Sequence, residues 1–192
     1  MLVGDPAPAS AAGYEGTDGV YLSNLFISGT EVAVRVVNAA GFRLQDVRLQ
    51  AGLGGRLEPD SPEGHPSTAA LLVENSFELS FLRCQFYGAT PTRPSVLLRG
   101  LPDKPGQLLS RVPYVYIVSF RSCMFVKGGV TYVQLAQLDN VAATDFSFVN
   151  CLSEYLSMPL LQVVSGAYTL LSSAHFRFLH CPEQHTKQCI AA

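Results

Sequence analysis

Apolar and polar residues recur along this chain in one short pattern: a bulky apolar residue, two variable residues, a smaller apolar residue, one variable residue and usually another apolar residue. Successive copies start at Leu22, Leu44, Phe81, Phe120, Phe148 and Phe178. Their central residues are Leu25, Val47, Cys84, Cys123, Cys151 and Cys181. By subtraction, these residues lie 22, 37, 39, 28 and 30 positions apart. Repeats of such lengths are typical of stacked repeat architectures.

Two copies agree over a longer stretch, because residues 34–44 align without gaps on residues 71–81 at an offset of 37. Apolar residues alternate with other residues, which predicts strands with one buried face. Asn38 matches Asn75 after the first alternating run, and Asn favours tight turns. Each repeat therefore predicts a strand, an Asn turn, a strand, a small kink, a strand and a loop. No segment shows a clear helical period.

The chain divides into three predicted parts: an extended lead-in at residues 1–18, the repeats at 19–181 and an irregular or helical tail at 182–192. Two long loops interrupt the repeats at residues 51–68 and 100–111. Loops at matching places in stacked repeats project from one flank, which is often the binding face. The alternative is that both loops are tolerated surface insertions, because loop length costs stability only slowly.

Composition supports one all-β domain. The chain has 192 residues, of which 48% are hydrophobic and 15% charged, with 16 Gly and 12 Pro. The net charge of −2 gives no basic face for nucleic acid. No apolar run reaches eighteen residues, so we expect no membrane insertion. The first ten residues lack a basic segment and a long apolar core, so they do not predict a secretory signal.

The central residues of the repeats, from Leu25 to Cys181, are expected to form one inward row. Phe81, Phe120, Phe148 and Phe178 are also expected to point inward. We predict that Cys84, Cys123 and Cys151 act as small buried hydrophobes with reduced thiols. The alternative is cross-linking of adjacent layers, because a spacing of about 4.8 Å falls within the range that disulfides accept.

These units of strand, Asn turn and strand, with aligned apolar rows, resemble the right-handed parallel β-helix of pectate-lyase-like proteins. The resemblance covers roughly residues 19–181 and implies a solenoid of about six rungs with long loop insertions. That fold serves polysaccharide lyases and hydrolases, phage tailspikes, adhesins and interaction scaffolds. The fold therefore does not fix the function.

Polysaccharide cleavage would require particular acidic residues. Glycoside hydrolysis uses two carboxylates about 5–9.5 Å apart, and the chain has no Asp-Asp, Asp-x-Asp or Gly-His-Gly sequence. Pectate-lyase-like enzymes use clustered calcium carboxylates and an outward Arg, and the sequence shows no convincing cluster of this kind. Asp46 and Arg83 occupy the same outward slot in adjacent repeats, so we expect a surface ion pair instead.

A C-terminal cluster of His and Cys residues is a candidate metal site. His175, His180, Cys181, His185 and Cys189 lie within fifteen residues, and a structural zinc site needs four such ligands. Cys181 is already expected in the inward row, and no Cys-x-x-Cys spacing is present. We therefore assign no metal, cofactor or catalytic residue.

The sequence thus favours a non-enzymatic scaffold or recognition module that belongs to a larger protein or assembly. It would bind a macromolecular partner through the long loops or a strand-lined flank. The low charge and the abundant Tyr and Phe favour a protein partner over a glycan, and a homo-oligomer is compatible with the pattern. The alternatives are a carbohydrate-active β-helix and a viral or phage fibre element that trimerises along its flank.

Overall fold

The computed structural model of the protein describes residues 2–4, 17–52, 68–102, 115–134, 145–157, 160–165, 175–179 and 190–191. The regular elements in these ranges are β-strands, and they form three parallel sheets. The all-β prediction is therefore confirmed. None of the described ranges contains a helix that is long and apolar enough to cross a membrane.

Sheet 1 has seven strands, and each neighbouring pair is parallel. In spatial order they are β1 (Leu2–Gly4), β5 (Val32–Val37), β9 (Ala69–Glu74), β12 (Val96–Gly100), β15 (Val130–Gln134), β18 (Leu161–Ser165) and β20 (Ile190–Ala191). Both faces of the middle strands β9 and β12 are buried: Leu71 joins the main apolar core, whereas Leu72 and Leu97 belong to a second apolar cluster. Burial on two faces explains the nearly continuous apolar sequence of β9.

Sheet 2 has eight parallel strands. They are β2 (Thr17–Asp18), β3 (Tyr21–Ser23), β6 (Ala39–Ala40), β7 (Arg43–Gln45), β10 (Phe77–Leu82), β13 (Tyr116–Arg121), β16 (Asp145–Val149) and β19 (His175–Leu179). The pairs β2–β3 and β6–β7 each take the place that one longer strand takes in later repeats.

Sheet 3 has five parallel strands. In spatial order they are β4 (Phe26–Ser28), β8 (Arg48–Gln50), β11 (Gln85–Tyr87), β14 (Met124–Val126) and β17 (Leu152–Glu154). All five are three residues long, so each contributes mainly one inward side chain.

The chain visits sheets 1, 2 and 3 in turn and then returns to sheet 1, and we call each such pass a layer. Layer one runs from β1 to β4, layer two from β5 to β8, layer three from β9 to β11, layer four from β12 to β14 and layer five from β15 to β17. Layers two and three pair Val34 with Leu71 and Leu44 with Phe81. The register therefore has the offset of 37 that the sequence predicts.

Phenylalanine rings from successive layers stack in the core. The ring centroids of Phe81 and Phe120 lie 4.8 Å apart, and those of Phe120 and Phe148 lie 5.0 Å apart. Phe86 and Phe125 of sheet 3 meet Phe120 edge-on. Phe81, Phe120 and Phe148 of sheet 2 are fully buried, which confirms the prediction that they point inward. Phe178 lies on β19, and its side chain is outside the described part of the structure.

The inward row is confirmed in the middle of the stack and wrong at its first residue. Val47, Cys84, Cys123 and Cys151 are buried, but Leu25 is 42% exposed. Leu25 belongs to layer one, which has a described neighbouring layer on one side only. The pattern therefore fixes the position of a residue within its repeat, whereas burial of that residue requires a neighbouring layer on both sides. Cys181 lies outside the described residues.

Left-handed backbone marks the predicted turns and kinks. The residue before each central residue has a φ of 51–54° in five successive layers: these are Asn24, Asp46, Arg83, Ser122 and Asn150. The matched turn residues Asn38 and Asn75 have φ values of 50° and 46°. Asn tolerates this conformation better than most residues. The Asn75 side chain also bonds both backbone groups of Leu101, at 2.7 and 3.1 Å.

Strand pairing extends into both terminal segments. Strands β1 and β2 lie within residues 1–18, the predicted lead-in, and β20 lies within residues 182–192, the predicted tail. Each of the three pairs with a strand of a neighbouring layer. Most of the two long predicted loops lies outside the described residues, namely 53–67 and 103–111.

Candidate functional site

A groove of about 890 Å³ crosses the outer face of sheet 2 over layers one to three. Tyr21, Arg43 and Ser80 line it and occupy one register column. Because side chains alternate along a strand, they point away from the core that their neighbours Leu44 and Phe81 enter. The groove is therefore a feature of the strand-lined flank.

Small residues form one part of the groove. Gly19 and Gly41 occupy the same bend in layers one and two, with φ values of 69° and 67°. Ala40 precedes the second bend and also lines the groove. A Cβ atom at Gly19 would meet no atom within 4 Å, so the space at this bend exists because layer one has no side chain there.

The bend continues into the next layers with larger residues. Glu78 and Ile117 occupy it in layers three and four, with φ values of 56° and 53°. A residue other than Gly costs roughly 1–2 kcal/mol in this conformation. Because the bend recurs in four successive layers, we attribute this strain to the architecture. Glu78 thereby stands beside the glycine-lined space.

Aromatic rings flank the same space. Phe77 lines the groove and stacks on Tyr116 of layer four, with centroids 5.1 Å apart and planes 12° apart. Tyr21 lines it from layer one and is 54% exposed. The groove thus combines flat apolar surfaces with polar groups from Arg43 and Gln45.

An ion pair borders the groove. Arg83 donates two hydrogen bonds to the Asp46 carboxylate, at 2.6 and 2.7 Å, and Gln45 donates a third at 3.2 Å. The hydrogen bond from Arg83 is the main reason that the pKa of Asp46 lies below its ordinary value. The predicted surface pair between Asp46 and Arg83 is confirmed.

The groove offers little support for acid–base cleavage. Glu78 is the one carboxylate among its lining residues, whereas glycoside hydrolysis uses two. Asp46 lies next to the lining residue Gln45, but both of its oxygens accept hydrogen bonds from Arg83. The lining charges, Arg43 and Glu78, are of opposite sign, so the groove favours neither a strongly anionic nor a strongly cationic ligand.

A second polar cluster lies on sheet 1, where the Glu74 carboxylate is buried between two arginines. Arg35 of layer two donates to it at 2.6 and 2.7 Å, and Arg99 of layer four contacts it at 2.8 Å. A buried carboxylate is costly unless it is paired and hydrogen-bonded. The cluster therefore ties three consecutive layers together, and we assign it to the scaffold.

The three described cysteines form a column of free, buried thiols, as predicted. The Cys123 thiol lies 3.4 Å from the carbonyl oxygens of Phe81 and Arg121. Hydrogen bonding with the thiols of Cys151 and Cys84, together with burial, raises the pKa of Cys123. A thiol with a raised pKa in an apolar interior is a poor nucleophile.

Other sequence candidates lie outside the described side chains. These are the residues of the C-terminal His/Cys cluster, namely His175, His180, Cys181, His185 and Cys189. Among the described residues, no group of three or more His, Cys, Asp or Glu side chains is placed to hold a metal ion. The sequence pattern predicted no site residue and did not indicate the groove.

A sequence signal for the groove was nevertheless present. Gly19 and Gly41 are separated by 22 positions, the same spacing as Leu25 and Val47. Adding the next offset of 37 leads from Gly41 to Glu78. Aligned glycines at one bend in successive layers indicate missing side chains, and hence a depression in the outer face.

Comparison of the chain with protein-family models, with curated proteins and with solved structures finds no match in any of the three. The function of the chain is therefore inferred from the geometry of the groove.

Proposed function

We propose that the protein is a recognition scaffold whose three sheets coil into a right-handed parallel β-helix. Two observations support the coil. The chain visits the three sheets in constant rotation, and one apolar cluster contains residues from every sheet, such as Val34, Leu44 and Leu49. Stacked layers that share a core make a rigid support for a binding surface.

The binding surface in this proposal is the groove on sheet 2, and the ligand is an extended segment of a protein partner. The observation that carries the proposal is the chemical mixture of the groove. Tyr21 and Phe77 offer apolar contact area, while Arg43 and Gln45 of layer two and Ser80 of layer three offer hydrogen bonds. Aromatic residues and Arg are enriched in protein interfaces. Mixed hydrogen-bonding groups beside rings suit the alternating side chains and backbone of a peptide.

A glycan is the second candidate ligand, because the exposed ring of Tyr21 offers a flat face on which a sugar ring would stack. The two candidates make different demands on the groove. A glycan would depend on the ring of Tyr21 and on hydrogen bonds, whereas a peptide would also depend on the apolar contact with Phe77.

The proposal is tested by affinity capture with the purified chain, followed by titration of each captured protein in purified form. Tyr21→Ala and Arg43→Ala are expected to weaken binding by ten-fold or more, the effect of losing an interface anchor. The matched controls are Tyr155→Ala, which removes a tyrosine that is 75% exposed outside the groove, and Arg121→Ala, which removes an exposed arginine on sheet 2. Both controls should bind like the wild type.

A glycan array and a polysaccharide lyase and hydrolase screen are run with the same variants. A positive result on the array is a defined glycan whose binding Tyr21→Ala abolishes, while no protein ligand is found. That result would show that the groove binds a glycan and not a peptide. Polysaccharide turnover that is lost in Glu78→Gln would contradict the recognition scaffold and favour an enzyme. Loss of protein binding in the controls as strongly as in the groove variants would place the interface elsewhere.

A further inference from the structure

A guanidinium on the outer face of sheet 3 is held by aromatic rings from the layers on either side. Arg48 belongs to layer two, and its guanidinium carbon lies 5.3 Å from the ring centroid of Phe26 in layer one. It lies 4.2 Å from the ring centroid of Tyr87 in layer three. Both distances are within the range of cation–π contacts. The two rings therefore restrict the conformations of a long and exposed side chain.

The stacked guanidinium keeps its hydrogen-bond donors accessible. Leu49, the next residue on the strand, enters the core, and successive side chains of a strand point to opposite faces. Arg48 therefore points outward. A guanidinium stacks on a ring through its flat face, whereas its N–H donors lie in its plane. The rings thus hold Arg48 without using the donors that would bind a ligand.

No described carboxylate forms an ion pair with Arg48, since the described ion pairs use Arg35, Arg83 and Arg99. The outward residues of sheet 3 are the first and third of each strand, and they include one carboxylate, Glu154 of layer five. Three layers separate it from Arg48, which is about 14 Å at about 4.8 Å per layer. Charges at that distance are largely screened at physiological salt, where the Debye length is about 8 Å. Arg48 is therefore an uncompensated charge.

The charge and the shape of this group favour one class of ligand. A guanidinium and a carboxylate form two parallel hydrogen bonds, and one arginine balances one carboxylate. A phosphate group carries about −1.5 to −2 at neutral pH, which a single arginine does not balance. Phe26 is 60% exposed and offers an apolar surface beside the guanidinium. A protein segment supplies both a carboxylate and an apolar neighbour.

We propose that Arg48 is a carboxylate-binding site, which takes an Asp or Glu side chain from an extended segment of a protein partner. Phe26 and Tyr87 are positioning residues, because they hold the guanidinium in place before the ligand arrives. Such preorganisation lowers the entropic cost of binding. The proposal does not rest on the groove of sheet 2, because neither Arg48 nor either ring lines it.

The test is a selection of short random peptides, displayed on phage, against the purified and immobilised chain. We expect enrichment of peptides in which an Asp or Glu stands beside an apolar residue. Each enriched peptide is then synthesised in two forms, one with the acidic residue and one with the corresponding amide, Asn or Gln. The acidic form is expected to bind roughly ten-fold more tightly or better, because only a carboxylate forms the charge-assisted pair with Arg48.

Variants of Arg48 show whether this preference depends on the proposed site. Arg48→Met removes the charge but keeps a long side chain against the rings, so it is expected to abolish the difference between the two peptide forms. Arg48→Lys keeps the charge but loses the planar donors, so it should keep only part of the difference. The matched control is Arg121→Met, which makes the same change at an exposed arginine on sheet 2 and should keep the full difference. Thermal melts check that all three variants retain the fold.

Three outcomes would overturn the proposal. The first is a selection that does not enrich acidic residues. The second is a preference for the acidic peptide that persists in Arg48→Met, which would place the bound carboxylate elsewhere. The third is Arg48-dependent binding of polygalacturonate, or of a peptide with phosphoserine at the acidic position, that is tighter than binding of the acidic peptide. It would show that the ligand is a carboxylated glycan or a phosphate group.

Discussion

The middle of the stack and layer one have the same sequence pattern but different environments. Cys123 and Leu25 occupy one slot, yet Cys123 is buried and Leu25 is 42% exposed. Phe120 contacts rings from layers three and five, whereas layer one has a described neighbour on one side. The pattern therefore sets the direction of a side chain, and the neighbouring layers set its burial. Four comparisons between variants and one pH experiment test this rule.

The largest effect is expected from Phe120→Ala. Removing a fully buried ring that stacks on both adjacent layers should lower the free energy of unfolding by about 3–5 kcal/mol. Leu25→Ala, in the half-open layer, should cost about 1 kcal/mol because less apolar area is lost. Urea denaturation measures both. Equal losses of unfolding free energy in the two variants would contradict the rule that neighbouring layers set the burial of a side chain.

A charged residue in the middle of the stack should obey the same rule. Glu74 is held by Arg35 from layer two and by Arg99 from layer four, so Glu74→Gln leaves two arginines without their carboxylate. We expect a loss of about 3 kcal/mol. Asp46→Asn, which breaks the exposed pair with Arg83, should cost clearly less in the same urea titration. A larger loss of stability in Asp46→Asn than in Glu74→Gln would show that burial between two layers does not determine how strongly these ion pairs stabilise the fold.

Thiol reactivity can be compared between the middle of the stack and layer one at equivalent positions of the repeat, Cys123 and residue 25. Native Cys123 is expected to react with an alkylating reagent at least about 100-fold more slowly than a cysteine introduced by Leu25→Cys, because reaction at Cys123 requires opening of the stack. Its raised pKa acts in the same direction. Peptide mass spectrometry at neutral pH separates the sites. Similar rates at both positions would mean that the middle layers open as readily as the end.

The Asn75 turn should give a smaller change. Asn75→Ala removes two hydrogen bonds to the next layer and places Ala in left-handed backbone, so we expect a loss of about 2 kcal/mol. Asn75→Gly keeps the backbone conformation and loses only the hydrogen bonds, so it should lie between Asn75→Ala and the wild type. If both variants melt like the wild type, the link to Leu101 contributes nothing.

The pH dependence of Asp46 is expected to be the smallest effect. Its folded pKa lies below the ordinary value, so its stabilising contribution is present above the unfolded pKa of about 3.9. The contribution is lost as pH falls through the folded pKa. The stability difference between the wild type and Asp46→Asn should therefore shrink on acidification from pH 7. A difference that grows would contradict the lowered pKa.

Much of the fold could be predicted from the sequence because its elements are local or periodic. Apolar alternation located strands in all three sheets, and the gapless match of residues 34–44 with 71–81 gave their register. The slot shared by Val47 and Cys84 correctly placed both in the core. The burial of Leu25 was predicted incorrectly, because a repeated pattern does not show where the stack ends.

The groove and the Glu74 cluster illustrate what one repeat cannot reveal. Gly19 and Gly41 each look like an ordinary turn glycine until the layers align them into a space beside Glu78. Arg35, Glu74 and Arg99 are far apart in the chain and meet because consecutive layers lie side by side. Their separations vary with loop length, so no fixed spacing identifies the cluster.

The sequence by itself determined most strands of the repeats, which of their faces point inward and how one layer matches the next, because these follow from alternation and from steric limits on the backbone. Only the tertiary structure decided which inward residues are covered, where outer faces form a groove and which distant charges pair. These properties depend on contacts between layers. A contact exists only when both partners are brought to the same place.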